Sequence, residues 1–375
     1  MLKAWTCDFR LRIQRLDASR SATELMLTDT DSGTFADRLL TVVLPNFNHA
    51  RYLARAIDAI FRQSRPPDEL IVIDDASTDN SREVILAHQV RYPALIALFN
   101  DRNVGALRTL QRGLEVAKSS YIYFAAADDE VLPGFFETAL DVLERTPSVG
   151  LFCGETVLVD GESNRSVGFR PIVRPSRKAG PISAGDVAKL LARADNFIHT
   201  GSTVFRTRSA LAKGGFVVET GSFSDGLLAR RVALTEGMWF APTPVSRWFV
   251  HSTGFSRSTA LGRERAVEAL ATVPKWIEAN PDFPSWYPDL FRSRWRFGSA
   301  RLALEAAPVD RKLLAAMVPD TRANRWILEL LDPVLDNRLG RVALLAWLAA
   351  YLKPFRLRDV MRTAIDRRIE RLRRR

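Results

Sequence analysis

Residues 119–137 read SSYIYFAAADDEVLPGFFE. Their apolar run, 121–127, is rich in aromatics and bounded by polar residues, which predicts a buried strand. Asp128 and Asp129 stand where that strand should end. Pro133 suits the first turn of a following helix, and Phe136, Ala139, Leu140 and Leu143 give it an apolar stripe at helical spacing. In an open α/β sheet, ligands bind outside the carboxyl ends of the strands. Two acids there repel each other and lose hydration, so a positive group is expected to compensate them. One reading is a divalent cation escorting a phosphorylated ligand. The other is a solvated turn, since Asp pairs are common in loops and cap helices.

Working outward, the same pattern recurs upstream. A strand over 39–44 is expected to stop at Pro45, and Leu53, Ile57, Ile60 and Phe61 line a helix that ends before Pro66 and Pro67. A second strand, 69–73, runs into Asp74-Asp75-Ala76-Ser77-Thr78-Asp79, with Asn80 and Glu83 placed to box-cap the next helix. A third, 95–99, leads to Asn100–Gly105 and a helix carrying Leu107, Leu110 and Leu114. Strands alternating with helices predict an α/β fold, a doubly wound and mainly parallel sheet flanked by helices. No G-x-G-x-x-G follows the first strand and no G-x-x-x-x-G-K-[ST] occurs, which argues against a dinucleotide site and excludes a P-loop. Acid recurs at the strand ends instead. That suits a nucleotide held by its base and ribose edges, its diphosphate carried on a metal.

The chain has 375 residues, 47% hydrophobic and 26% charged, which is ordinary globular composition with about two domains as the prior. Two cysteines, Cys7 and Cys153, make neither a disulfide framework nor a zinc spacing, so a reducing, cytoplasmic setting is expected. The first twenty residues lack a signal-peptide core, and no apolar run reaches the ~18 residues of a spanning helix. Residues 1–38 read as an N-terminal appendage without assigned chemistry. The net charge is +11, and residues 356–375 hold nine arginines against Asp359, Asp366 and Glu370, a net of +6. The excess therefore points to an anionic partner for the tail rather than to a basic active site.

The stretch TVVLPNFNHARYLARAIDAIFRQSRPPDELIVIDDASTDNS, 41–81, resembles the opening of the family 2 glycosyltransferases, and the likeness continues through 100–137 and more weakly to about residue 256. The resemblance implies the GT-A fold over 39–257, with a nucleotide-binding half at 39–137 and an acceptor half at 138–257. Pro45, Asn46, Phe47 and Asn48 match the family's first nucleotide-side loop, with Asn46 where many members carry Thr or Ser. Asp75 matches the acid that accepts from the base N–H, and Asp74 its neighbour; helix capping is the other reading of Asp74 and Asp79. Arg102 and Asn103 match the pair after the third strand, the arginine being a counter-charge or a solvated surface residue. Asp128 and Asp129 match the D-x-D region, with Ala126 in place of the first Asp. Either is implied to ligate Mg²⁺ or Mn²⁺ while the other holds the ribose hydroxyls.

In the second half, 156–160 reads as a strand, 161–164 as a turn, 165–177 as a polar loop and 202–206 as another strand, flanked by His199. Asp225 matches the acid that supplies the family's catalytic base; an N-cap is its other reading. His251 lies in WFVHSTGFS, similar to a closing Tyr-Arg-x-His segment, with Phe249 replacing the arginine. It is assigned either to the acceptor or phosphate side or to a structural role. Past 258, Ala-, Leu- and Arg-rich segments between prolines predict a helical C-terminal region, 258–375. The apolar segment 342–352 and the Arg-rich tail then suit either peripheral attachment to the inner face of the cytoplasmic membrane or packing onto their own domain. The expected function is an inverting, metal-dependent glycosyltransferase that moves a sugar from a uridine diphosphate sugar to a saccharide or lipid-linked acceptor hydroxyl in polysaccharide synthesis. The alternative is a non-catalytic nucleotide-sugar-binding or scaffold relative. The tail interleaves no aromatics for base stacking, so no nucleic-acid partner is expected.

Overall fold

Alternation along residues 40–46 sets the two faces of the central sheet. Strand β1 (Leu40–Asn46) sends Leu40, Val42 and Leu44 into one core layer and Val43 into the other, all fully buried. The computed structural model describes residues 39–194, 197–251 and 259–373; the appendage read at 1–38 and the close of the likeness at 252–257 lie outside the described residues. β1 pairs in parallel with β2 (Glu69–Asp74) and β4 (Tyr121–Phe124), and β2 with β3 (Leu95–Phe99). Helices α1 (Ala50–Phe61), α2 (Ser81–Arg91) and α3 (Ala106–Val116) connect them, as the alternating pattern predicts. Helix α3 lies so close to β1 that a Cβ on Gly113 would stand 2.3 Å from Val43 Cγ1.

The second half is mixed. Its strands are β5 (Glu130–Val131), β6 (Leu151–Asp160), β7 (Ser166–Arg170), β8 (Gly180–Ile182), β9 (Thr203–Arg206) and β10 (Met238–Val250). Among the described residues the sheet order is β3-β2-β1-β4-β9-β6-β10-β5, with β7 on β6 and β8 on β10. β9 runs antiparallel to both β4 and β6, while β6 and β10 are parallel. Helices α4 (Phe135–Arg145), α5 (Ala184–Arg193), α6 (Thr207–Ala212) and α7 (Ser224–Glu236) complete this half. The result is a mixed, mostly parallel sheet flanked by helices.

Several local expectations are corrected. β1 runs through Pro45 rather than stopping there. Val43 O accepts from Ala125 N on the β4 side and Asn46 O from Asp75 N on the β2 side. The alternation turns Pro45's missing donor toward β4, whose pairing has already ended at Phe124, so no ladder bond is lost. β4 itself is three residues shorter than read, and α4 starts at Phe135 after a left-handed Gly134, so Pro133 precedes the helix. Asn80 makes no side-chain cap. Asp79 takes that place, accepting from Ser81 N at 3.0 Å and from Ala50 N at 3.0 Å, and so ties the starts of α1 and α2. Part of the polar loop read at 165–177 is strand β7, whose exposed side chains hide its pairing with β6.

Among the described residues, helices α8 (Arg263–Glu278), α9 (Tyr287–Glu305), α10 (Arg311–Met317), α11 (Arg322–Leu331), α12 (Arg338–Leu352) and α13 (Leu357–Arg373) follow. α8 and α9 place Val273, Ile277, Tyr287 and Phe291 in the same core layer as Val43 and Phe124 of the sheet. A separate layer, with Leu304, Leu313, Met317, Leu344 and Leu348, joins α9, α10 and α12. The apolar segment 342–352 therefore buries one face, Leu344, Leu348 and Leu352, against its own neighbours. The tail helix is held by ions. Glu155 on β6 receives both Arg174, at 2.9 and 3.0 Å, and Arg367 of α13, at 2.7 Å. The side chains of this triad are 2%, 3% and 12% exposed, deep enough that a missing member strands the others. Glu155→Gln is expected to cost about 3–5 kcal/mol in urea unfolding, because two desolvated guanidiniums lose their counter-charge.

Candidate active site

The loops that leave β1 and β2 are laced together. Asn46 Nδ2 donates to Asp74 Oδ1 at 2.7 Å, Asn48 N donates to Ser77 Oγ at 2.9 Å, and Asn48 Oδ1 accepts from Thr78 N at 2.7 Å. Asn48 and Ala76 both take positive φ, 56° and 58°, to make these turns. Asp74 also receives Ser77 N and Oγ, so its carboxylate is spent on the turn, and it does not line the cleft beyond. That carboxylate fixes the sense of the Asn46 amide, whose Oδ1 is left buried on the wall of the cleft with no hydrogen-bond partner among the described residues. Asp75 is 2% exposed and accepts from Asn100 Nδ2, Val104 N and Gly105 N at 2.7–2.9 Å. About four lone-pair positions serve a carboxylate, so Asp75 shapes the β3–α3 loop and keeps about one position for a ligand.

These ends surround a cleft of about 1110 Å³. Of the residues read from the sequence, Pro45, Asn46, Phe47, Asn48, Asp75, Asn103, Asp128, Asp129 and His251 line it. Arg102 is exposed in the same loop as Asn103 without lining it. Asp128 and Asp129 come after β4, separated from its end by residues 125–127 rather than standing directly on it as read. Asp129 Oδ1 accepts from Phe249 N at 3.1 Å. Burial, and then the neighbouring Asp128 charge, pushes the Asp129 carboxyl well above the ordinary range, against the Phe249 amide and Arg55. Among the described residues no cluster of three or more His, Cys, Asp or Glu side chains forms a complete metal cage. An acid pair in this state fits Mg²⁺ or Mn²⁺, which binds through one or two carboxylates and takes phosphate oxygens and waters for the rest.

Asp225, second residue of α7, does not line the cleft. Burial raises its carboxyl above the ordinary range, opposed first by the Gly226 amide, which donates to Oδ1 at 2.6 Å. The Thr200 side chain, in a one-turn 3-10 helix (Thr200–Ser202), also acts against the raised Asp225 carboxyl. The next residue, Gly201, accepts from Tyr123 Oη at 3.1 Å, and a Cβ there would stand 3.9 Å from Asp129 Oδ2. One helical turn thus separates the two acids. The N-cap position of α7 is Phe223, which carries no side-chain cap, so Asp225 is not the N-cap; among the described residues its carboxylate accepts from the next amide, Gly226.

His251 stacks near Tyr52 at 5.6 Å, and its Nε2 is buried without a hydrogen-bond partner among the described residues. It leans on Gly161, where a Cβ would come within 2.3 Å of the ring. His199 stacks on Trp248 at 5.0 Å, and burial with the Arg170 charge lowers it to about 4, so its imidazole is neutral at physiological pH.

Sequence reasoning missed the contribution of α1. Arg51 and Tyr52 line the cleft, and Arg55 places its guanidinium 4.4 Å over the Phe249 ring while donating to Asp128 O at 3.2 Å. Phe249, which stands where the family has arginine, therefore supports an arginine that comes from elsewhere. The available signal was two arginines at i, i+4 on the helix after the first loop. Glu162 and Trp248 also line the cleft and were not read.

Residues 41–196 match the family model described as glycosyl transferase family 2. An uncharacterized glycosyltransferase of Nostoc sp., alr2836, is 28% identical over 157 residues, 42% of this chain and 46% of that protein. The chain spans 29–46% of the length of several curated relatives it matches. The crystal structure of S. aureus TarS 1–349 with UDP-GlcNAc superposes with a TM-score of 0.54 at 14% identity, covering 85% of this chain and 93% of that one. The Pyrobaculum calidifontis mannosyltransferase PcManGT, solved with GDP-Man and Mn²⁺, gives 0.53 at 20% identity over 88% and 92%. Over residues 41–196 the chain is thus similar to the family 2 glycosyltransferases, and it carries the GT-A fold.

Proposed function

We propose that this protein transfers a sugar from a nucleotide-diphosphate sugar, uridine-linked, to an acceptor hydroxyl of a saccharide or lipid-linked glycan, with inversion. The observation that carries the reading is the Asp128–Asp129 pair, set after β4 in a cleft whose other walls are the Asn46, Asp75 and Asn103 loops. Asn46 Oδ1 and the remaining position on Asp75 offer acceptors to the base and ribose. A divalent ion held by Asp128 and Asp129 would supply charge stabilisation to the leaving diphosphate. Arg55 and Arg51 add positive charge on the same side. The acceptor oxygen bonds to the anomeric carbon as the bond to the diphosphate breaks, and the hydroxyl proton passes to Asp225. That carboxylate, sunk beside the 3-10 turn, is a stronger base than an exposed one. The second reading, a donor-binding relative without turnover, is favoured by Asp225 lying outside the cleft lining.

The test is a panel of UDP- and GDP-sugars, with Mg²⁺, Mn²⁺ or chelator, read by thermal stabilisation. A true donor at about 100 times its Kd stabilises by about 2.7 kcal/mol. A UDP-sugar is expected to do so only with metal, and equal shifts under chelator would defeat the metal assignment. Arg55→Met is expected to raise the donor KM by about tenfold while changing kcat less, since both carboxylates stay in place and only the guanidinium charge beside them is removed. Steady-state kinetics over donor concentration check this.

A further inference from the structure

Helix α13 packs with its polar side inward. Asp359 receives Arg193 at 2.7 and 3.1 Å, Thr363 Oγ1 receives Arg174 N at 3.0 Å, Asp366 receives Arg177 at 2.6 Å and Arg367 reaches Glu155. Leu357, Met361, Ile365, Ile369 and Leu372 lie on the opposite arc, exposed by 65%, 56%, 54%, 43% and 65%. Five large apolar side chains on one outward stripe make a surface built for contact.

Beside the first turn of α13 lies a second cavity of about 320 Å³, lined by Arg193, Arg356, Arg358, Asp359 and Arg362. Asp359 is already paired with Arg193, and Arg356, Arg358 and Arg362 have no ion pair among the described residues. At about 100° per residue, Arg358 and Arg368 fall within the apolar arc and Arg362 at its edge. The apolar stripe and the Arg358 and Arg362 guanidiniums therefore face the same way.

We propose that this face docks on an anionic lipid surface. The phosphate headgroup of an acidic phospholipid sits in the arginine cavity, and α13 lies in the interface with its stripe in the acyl boundary. A second copy of the chain fits the stripe poorly, because it would bring arginines against arginines. The surface is far in sequence from the donor loops and stands independently of the donor reading.

The experiment is co-sedimentation of the full chain with vesicles of phosphatidylcholine alone or mixed with phosphatidylglycerol, at low and high salt. Binding to the anionic vesicles is expected to be at least about tenfold stronger, and the Arg358→Gln, Arg362→Gln double variant is expected to lose about tenfold or more. Met361→Asp with Ile365→Asp is expected to remove the part of the binding that survives high salt. All four side chains are exposed or at the surface, so melting temperatures are expected to stay unchanged. Equal binding to both lipids, no binding by the wild-type chain, or binding unaltered in both double variants overturns the proposal. A dimer in light scattering that Met361→Asp dissociates overturns it as well.

Discussion

Asp129→Asn is expected to abolish metal-dependent nucleotide binding and to lower kcat/KM by about 10²–10³-fold, while the chain still folds. Asparagine keeps the size of the side chain, and its carbonyl oxygen can still accept from Phe249 N, the contact that joins the β4 end to β10. What it removes is one of two adjacent negative charges. The Asp129 carboxyl is raised by burial and by Asp128, so ionising both members of the pair is costly. A cation relieves that cost in the wild type and has half the reason to bind in the variant. Calorimetric titration of nucleotide with and without Mn²⁺ checks it, and wild-type affinity that ignores chelator rules the metal out.

Asp225→Asn is expected to cut turnover by about 10²–10⁴-fold and leave donor binding intact. The side chain raises its own pKa by being buried, so the folded chain holds this proton more firmly than the unfolded chain. Its contribution to stability is full below the ordinary carboxyl pKa and is lost as pH rises through the raised value. Asparagine carries no charge to desolvate, so at neutral pH the melting temperature is expected to hold or rise. The acid limb of wild-type turnover is expected above the ordinary carboxylate range. Retained turnover in the variant, or an acid limb at the ordinary position, removes Asp225 from the base role.

The first half of the fold was legible because its units are local. Each of β1, β2, β3 and β4 is an apolar run followed by its own helix stripe, and each pairs with a strand of the same kind. The second half was legible only in part: 156–160 falls in β6 and 202–206 takes in β9, as read, but the pairings join distant segments with no shared pattern. β5 has two residues, β7 shows exposed side chains, and β9 enters antiparallel between β4 and β6. At the site, acids at strand ends were readable, since the topology rule places ligands there. Asp74 reads the same as Asp75 in sequence, and only the Ser77 and Asn46 contacts distinguish the turn-holder from the cleft residue. Arg55 went unread because its partner ring, Phe249, lies far along the chain in β10.

The placement of β9 also sets a timetable for the chain as it is made. β1 to β4 can pair as soon as they emerge, since their contacts are near in sequence. The other edge of β4 waits for β9 to emerge, which at about 5–20 residues per second is an interval of several seconds. Until then Tyr121, Ile122 and Tyr123 border an unfilled backbone edge, and β6 is made before the strand that will separate it from β4. The nascent chain thus passes through a state in which its central strand is half-clothed, and a cell making much of this protein depends on whatever shields that edge meanwhile.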